Sequence, residues 1–97
     1  MMFIKKVITL SPGETFTISS YKHAGLIVIS NGPRGAVYAY EMTYTSQSKI
    51  ITVSDDSEGE ITTSPGIGNT LHIRWEDGEL KITNRYSETR YYTISII

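Results

Sequence analysis

The chain has 97 residues, a formal net charge of −1, 39% hydrophobic and 20% charged residues, and no cysteine. The length suits one domain, residues 1–97; the missing thiols exclude disulfide frameworks, thiolate zinc sites and cysteine nucleophiles. The near-zero charge supplies no long-range field for nucleic acid or an anionic membrane. Val, Ile, Thr, Tyr, Phe and Trp together number 40, against 7 for Ala plus Leu. That vocabulary forms strands and excludes a helical bundle.

Turn residues punctuate the chain at Ser11-Pro12-Gly13, Asn31 to Gly35, Asp55 to Gly59, Ser64 to Asn69, and Asp77-Gly78. Between them the spacing predicts strands rather than helices. Phe3 to Leu10 is mostly apolar with a lysine pair inside it, as suits a sheet edge. Glu14 to Ser20 alternates, with Phe16 and Ile18 on one face. Gly25 to Ile29 is apolar on both faces and reads as a central, fully covered strand. Ala36 to Thr45 is long, and Lys49 to Ser54 follows after a polar bend. Thr70 to Glu76 places Leu71, Ile73 and Trp75 inward and His72, Arg74 and Glu76 outward. Asp77-Gly78 then joins it to Glu79 to Thr83 as a hairpin, since a type I′ turn needs positive φ. Tyr91 to Ile97 is the last strand. The expected fold is all-β: an antiparallel β-sandwich, jelly-roll-like, of about eight strands, with a small partly open barrel as the alternative.

The first residues lack the apolar run of about 7–15 residues that a secretory signal needs, and no stretch approaches the roughly 20 of a membrane span. Asn31, Asn69 and Asn84 each lack the hydroxyl residue two places on that glycosylation requires. The expectation is a chain that is cytoplasmic when made, with no membrane partner.

Catalytic patterns are weak. His23 and His72 are the only histidines, and His72 is expected as an exposed cross-strand partner beside Arg74. Glu14, Glu41, Glu76 and Glu79 could supply a carboxylate pair, but their spacing selects no two of them. No enzyme, cofactor or metal site is expected. The acidic stretch Asp55 to Glu60 departs from the EF-hand pattern and reads as a solvated hairpin loop. Arg85-Tyr86 and Arg90-Tyr91-Tyr92 interleave cations with aromatics as single-strand nucleic-acid platforms do. Nine Lys and Arg against ten Asp and Glu leave no basic face, so nucleic acid is not expected as a partner.

The most suggestive feature is a row of tyrosines. Tyr38, Tyr40 and Tyr44 fall on one face of the long strand, with Met42 between. They can roof the core, form a subunit interface, or stack flat sugar rings; the last makes them the candidate ligand-binding residues.

The segment "NTLHIRWEDGELKITN", with "YYTISII" closing the chain, resembles the small β-domains of bacteriophage tail-fibre and virion appendage proteins. "SPGETFTISS" and "GLIVISNGPRGAVYAY" share the style, so the resemblance covers about two-thirds of the chain. It implies a non-enzymatic structural or attachment module, virion-associated and trimeric, whose partners are copies of itself, other virion proteins or a cell-surface glycan. It carries no catalytic signature to transfer. The alternative function is a carbohydrate-binding module built on the tyrosine row. Tyr91 to Ile97 has neither charge nor proline, so it must be interior to its sheet or covered by another subunit. With Met2-Phe3-Ile4 also apolar, closed self-association is expected.

Overall fold

The computed structural model describes residues 4–18, 24–41, 49–64, 68–76 and 79–97, in which nine strands and no helix occur. In chain order these are β1 (Ile4–Leu10), β2 (Thr15–Ile18), β3 (Ala24–Asn31), β4 (Arg34–Glu41), β5 (Lys49–Asp55), β6 (Ile61–Thr62), β7 (Leu71–Glu76), β8 (Glu79–Asn84) and β9 (Arg90–Ile96). Eight match the predicted strands. The extra one, β6, has two residues and too little sequence to carry a period.

Five strands form one sheet in the order β1-β9-β3-β4-β5, and four form the other in the order β2-β8-β7-β6. Every pairing is antiparallel except β6 with β7. β1 pairs with β9 and β2 with β8, so the two halves of the chain nest as in a jelly roll, whereas β3-β4-β5 is a meander. No pairing among the described residues joins the two sheets, so the fold is a sandwich and not a barrel.

Alternation accounts for the core. Ile27 and Ile29 of β3, Tyr38 of β4, and Tyr92 and Ile94 of β9 meet Leu71 and Ile73 of β7 and Leu80 and Ile82 of β8. Each such side chain contributes about 1.5–3 kcal/mol on burial. Where the sheet borders lie, pairing is blunted: β1 carries Lys5 and Lys6, β2 and β6 are short, and β5 bulges opposite Val37 and Tyr38. The last strand, β9, is not an edge. It lies between β1, which pairs all of it, and β3, which pairs Thr93 to Ile96.

β3 departs from expectation on its outer face. It is central, but Leu26 remains 40% exposed, so only the inward half of this apolar strand is covered within the described chain. The β7–β8 register runs through Glu76 and Glu79, leaving Asp77-Gly78 as the two-residue connection. The conformation of that turn, and the side chain of Trp75, lie outside the described residues.

Candidate functional site

Two tyrosines of the row, Tyr38 and Tyr40, go inward. Tyr38 is 1% exposed and Tyr40 9%, both in the core between the sheets; Tyr44, Met42 and His23 lie outside the described residues. A sugar ring stacks on an open aromatic face, and neither Tyr38 nor Tyr40 presents one. Burial pushes the Tyr38 hydroxyl far above the usual phenol range, with the Asp55 carboxylate adding to the effect. Tyr40 packs over Gly25, its cross-strand partner, where a Cβ would sit 3.1 Å from the ring.

His72 corrects a second expectation. The period of two puts it outward on β7, yet it is buried. β7 is an interior strand, flanked by β6 and β8, and Arg85, Arg74 and the Thr63 backbone lie near the ring. Burial, with the two arginines, pushes its pKa below the ordinary value.

Two stretches read separately in the sequence come together in space. One is the acidic loop after β5; the other is the Arg/Tyr-rich connection from β8 into β9. Strand directions bring both to one end of the sandwich, beside the β3–β4 turn and Asn69. A polar cleft of about 370 Å³ opens there.

Its acidic wall is a structured loop. Ser57 is fully buried; its amide and hydroxyl both donate to Asp55 Oδ1, and its Oγ accepts from the Ile61 amide at 3.1 Å. This fold-back turns Glu58 and Glu60 toward the arginines. Arg34 Nη1 lies 2.8 Å from Glu58 Oε2. Arg90 Nη1 donates to Glu60 Oε1 at 2.9 Å, and Asn31 Nδ2 donates to the same oxygen at 3.2 Å. Glu60 is 9% exposed, and its Oε2 is buried without a partner.

The opposite wall is aromatic. The Arg90 guanidinium stacks on the Tyr86 ring, 3.7 Å from its centroid. Beneath them the buried Tyr92 hydroxyl has no partner either, and burial, reinforced by Glu60, pushes it far above the phenol range. The two non-glycine residues with left-handed backbone among those described, Glu58 (φ 54°) and Asn69 (φ 53°), both line this cleft. Neither stretch alone signals it, because the pairing of Glu60 with Arg90 spans 30 residues.

No family model matches the chain, and no curated protein does. Among solved structures it is similar to part of the tailspike protein of Acinetobacter phage vB_ApiP_P1, with a TM-score of 0.43 and 14% identity. The alignment covers 98% of this chain and 21% of that one, so the chain spans about a fifth of the tailspike's length.

Proposed function

We propose that the chain is a non-enzymatic structural or attachment module of a phage or prophage particle, working as a homo-oligomer. The observation that carries this reading is the outer face of the five-stranded sheet. Val7, Leu26, Ile51, Val53, Tyr91 and Ile97 are its exposed large side chains. Between them the register sets Thr93, Ser95, Val28, Val37 and Ala39. Charge on this face is confined to Lys5 and Glu41 among the described side chains.

The other sheet differs. Its outer face carries Arg74, Glu76 and Lys81 linked by ion pairs of 3.3 and 3.4 Å, with Thr15 and Thr83 hydrogen-bonded beside them. Such a face is built for water. The apolar face is suited to a partner equally free of charge, and a second copy of itself meets that requirement.

The area is adequate. Five strands spaced about 4.8 Å apart and about seven residues long at roughly 3.3 Å each present about 550 Å². Two such faces together pass the roughly 1,000 Å² that a specific interface should bury. In the trimer that the sequence resemblance implies, each face is divided between two neighbours, and the three faces together bury about 1,650 Å². In the cleft both carboxylates are engaged by arginines, which favours holding a ligand over acid–base chemistry.

Light scattering coupled to size exclusion tests the reading. A trimer of the 10.9 kDa chain elutes with a mass of about 33 kDa. A mass of one chain at micromolar concentration removes it.

A further inference from the structure

We infer that the outer face of the five-stranded sheet docks on a second copy through a ring-in-recess contact, in which Tyr91 of one chain seats between Leu26 and Ile51 of the next. This rests on the self-assembly reading and specifies which parts of the face meet.

The recess follows from the register. Leu26 of β3, Ala39 of β4 and Ile51 of β5 are cross-strand neighbours on the outer face. Ala39 is short between two larger branched side chains. Gly25 and Tyr40, which pair beside it, belong to the inward phase and add no side chain on this side. An open, mostly apolar recess of about 440 Å³ results, with Ala24 and Glu41 completing its outer-phase lining.

The ring stands at the opposite corner of the face. Tyr91 is the one aromatic residue among the exposed large side chains, 62% exposed. Thr9 faces it across the β1–β9 pair and Thr93 follows it on the same side, so short neighbours leave the ring raised. It cannot fill its own chain's recess. About 20 Å of extended strand separates it from Ile97, whose backbone bonds to Leu26 at the recess wall.

A trimer divides each face between two neighbours, so one part of the face must fit a different part of the next chain. A raised ring at one corner and a recess at the other meet that requirement: each copy gives one ring and receives one. The chemistry agrees. A buried tyrosine needs a partner for its hydroxyl. Glu41 is exposed in the single chain, and closing the face strips its water; the Tyr91 O–H is a donor that replaces it. An aromatic anchor in a recess is also how a small contact concentrates its affinity.

Isotope-filtered NMR on associated protein tests this, with chains carrying carbon-13 only at alanine methyls mixed with unlabelled chains. The alanines are Ala24, Ala36 and Ala39, and Ala36, buried in the core, is the internal control. Tyr91 ring protons of the unlabelled chains should show contacts to the Ala24 and Ala39 methyls and none to Ala36. Sedimentation supplies the second readout. Tyr91→Ala, and Ala39→Leu, which fills the recess from within, should each raise the dissociation constant at least about tenfold. Tyr91→Phe should keep most of the association and Thr9→Ala all of it. A wild type that stays single at micromolar concentration overturns the self-assembly reading and this contact with it. An associated wild type lacking the Ala24 and Ala39 contacts, or unchanged association in Tyr91→Ala and Ala39→Leu, overturns this contact alone.

Discussion

Asn84 Nδ2 donates to the carbonyl oxygen of Leu10 at 2.9 Å, joining positions 74 residues apart. The same amide donates to Glu88 O at 2.9 Å, while Asn84 Oδ1 accepts from the Tyr86 amide at 2.9 Å. Its backbone is engaged too, with Gly13 N donating to its oxygen and its own N donating to Glu14 O. One fully buried side chain therefore fastens the β1–β2 turn to the β8–β9 connection, and it fixes the loop that presents Tyr86 to the cleft.

Asn84→Ala should lower stability by about 2–4 kcal/mol, because it orphans two carbonyls and an amide as well as leaving a void. Asn84→Asp is expected to be as costly or worse, since a carboxylate would face two carbonyl oxygens it cannot donate to. Urea unfolding monitored by circular dichroism measures both. A loss below about 1 kcal/mol for Asn84→Ala would mean that the loops are held together by other contacts.

The tyrosines give a sharper contrast. Tyr38→Ala should cost about 3–5 kcal/mol, as truncation of a buried aromatic does. Tyr91→Ala should change the stability of the chain, measured at concentrations where it is dissociated, by less than about 0.5 kcal/mol, its ring being 62% exposed. Equal losses at the two positions would contradict the burial of one and the exposure of the other.

Local order was legible where one period and one turn decided it. Strand positions, the β7–β8 hairpin and the core phase of β8 all follow from alternation between turn residues. Pairing partners were not legible, because β9 finds β1 and β3 across most of the chain. His72 shows the limit of the period of two: alternation says which face a side chain is on, not whether the chain returns to cover that face. Tyr38 and Tyr40 show the converse, since alternation placed them on one face without saying which face the second sheet would cover. The cleft was half visible, as an acidic loop and an Arg/Tyr stretch, and only the sandwich brings those two together.

Gly25 is a position where the absence of a side chain matters. A Cβ there would lie 2.5 Å from the Ile97 carbonyl oxygen, a backbone atom that cannot swing aside. Leu26 and Ile97 exchange backbone hydrogen bonds of 3.1 and 3.0 Å next to it, which holds that carbonyl in place. Gly25→Ala should therefore destabilise by about 1–3 kcal/mol. Gly68→Ala, where a Cβ meets nothing within 4 Å, is the control and should be neutral or slightly stabilising. Thermal unfolding of the pair checks this; equal melting temperatures would show that β3 and the terminal residue separate freely.

His72 makes stability pH-dependent in a predictable direction. Burial, with Arg85 and Arg74 nearby, lowers its folded pKa below the unfolded value of about 6.5. The unfolded chain then binds more protons than the folded one as pH falls through that value, so the imidazole's contribution is intact above it and lost progressively below. The slope from this one group is at most about 1.4 kcal/mol per pH unit. Unfolding free energies of wild type and His72→Gln, measured from neutral to mildly acidic pH, should diverge at the neutral end and converge on acidification. Parallel curves would assign the acid sensitivity elsewhere.

Charge placed on the apolar sheet face discriminates between an assembly surface and an idle one. Val7 and Ile51 are 68% and 59% exposed, on the two border strands of the same sheet, so a lysine at either can reach water in a single chain. Substitution should move the stability of the isolated chain by no more than about 0.5 kcal/mol. In an assembly that buries the face, a lysine at Val7 is desolvated among apolar neighbours, and one at Ile51 has Glu41 alone of the described carboxylates on that face within reach. Val7→Lys combined with Ile51→Lys should therefore shift the population to single chains at concentrations where the wild type is associated. Thr17→Lys, on the exposed strand β2 of the other sheet, should leave the mass unchanged. Sedimentation velocity over a range of concentrations reads all three proteins. Dissociation by Thr17→Lys, with the Val7 and Ile51 double variant still associated, would move the interface to the charged sheet.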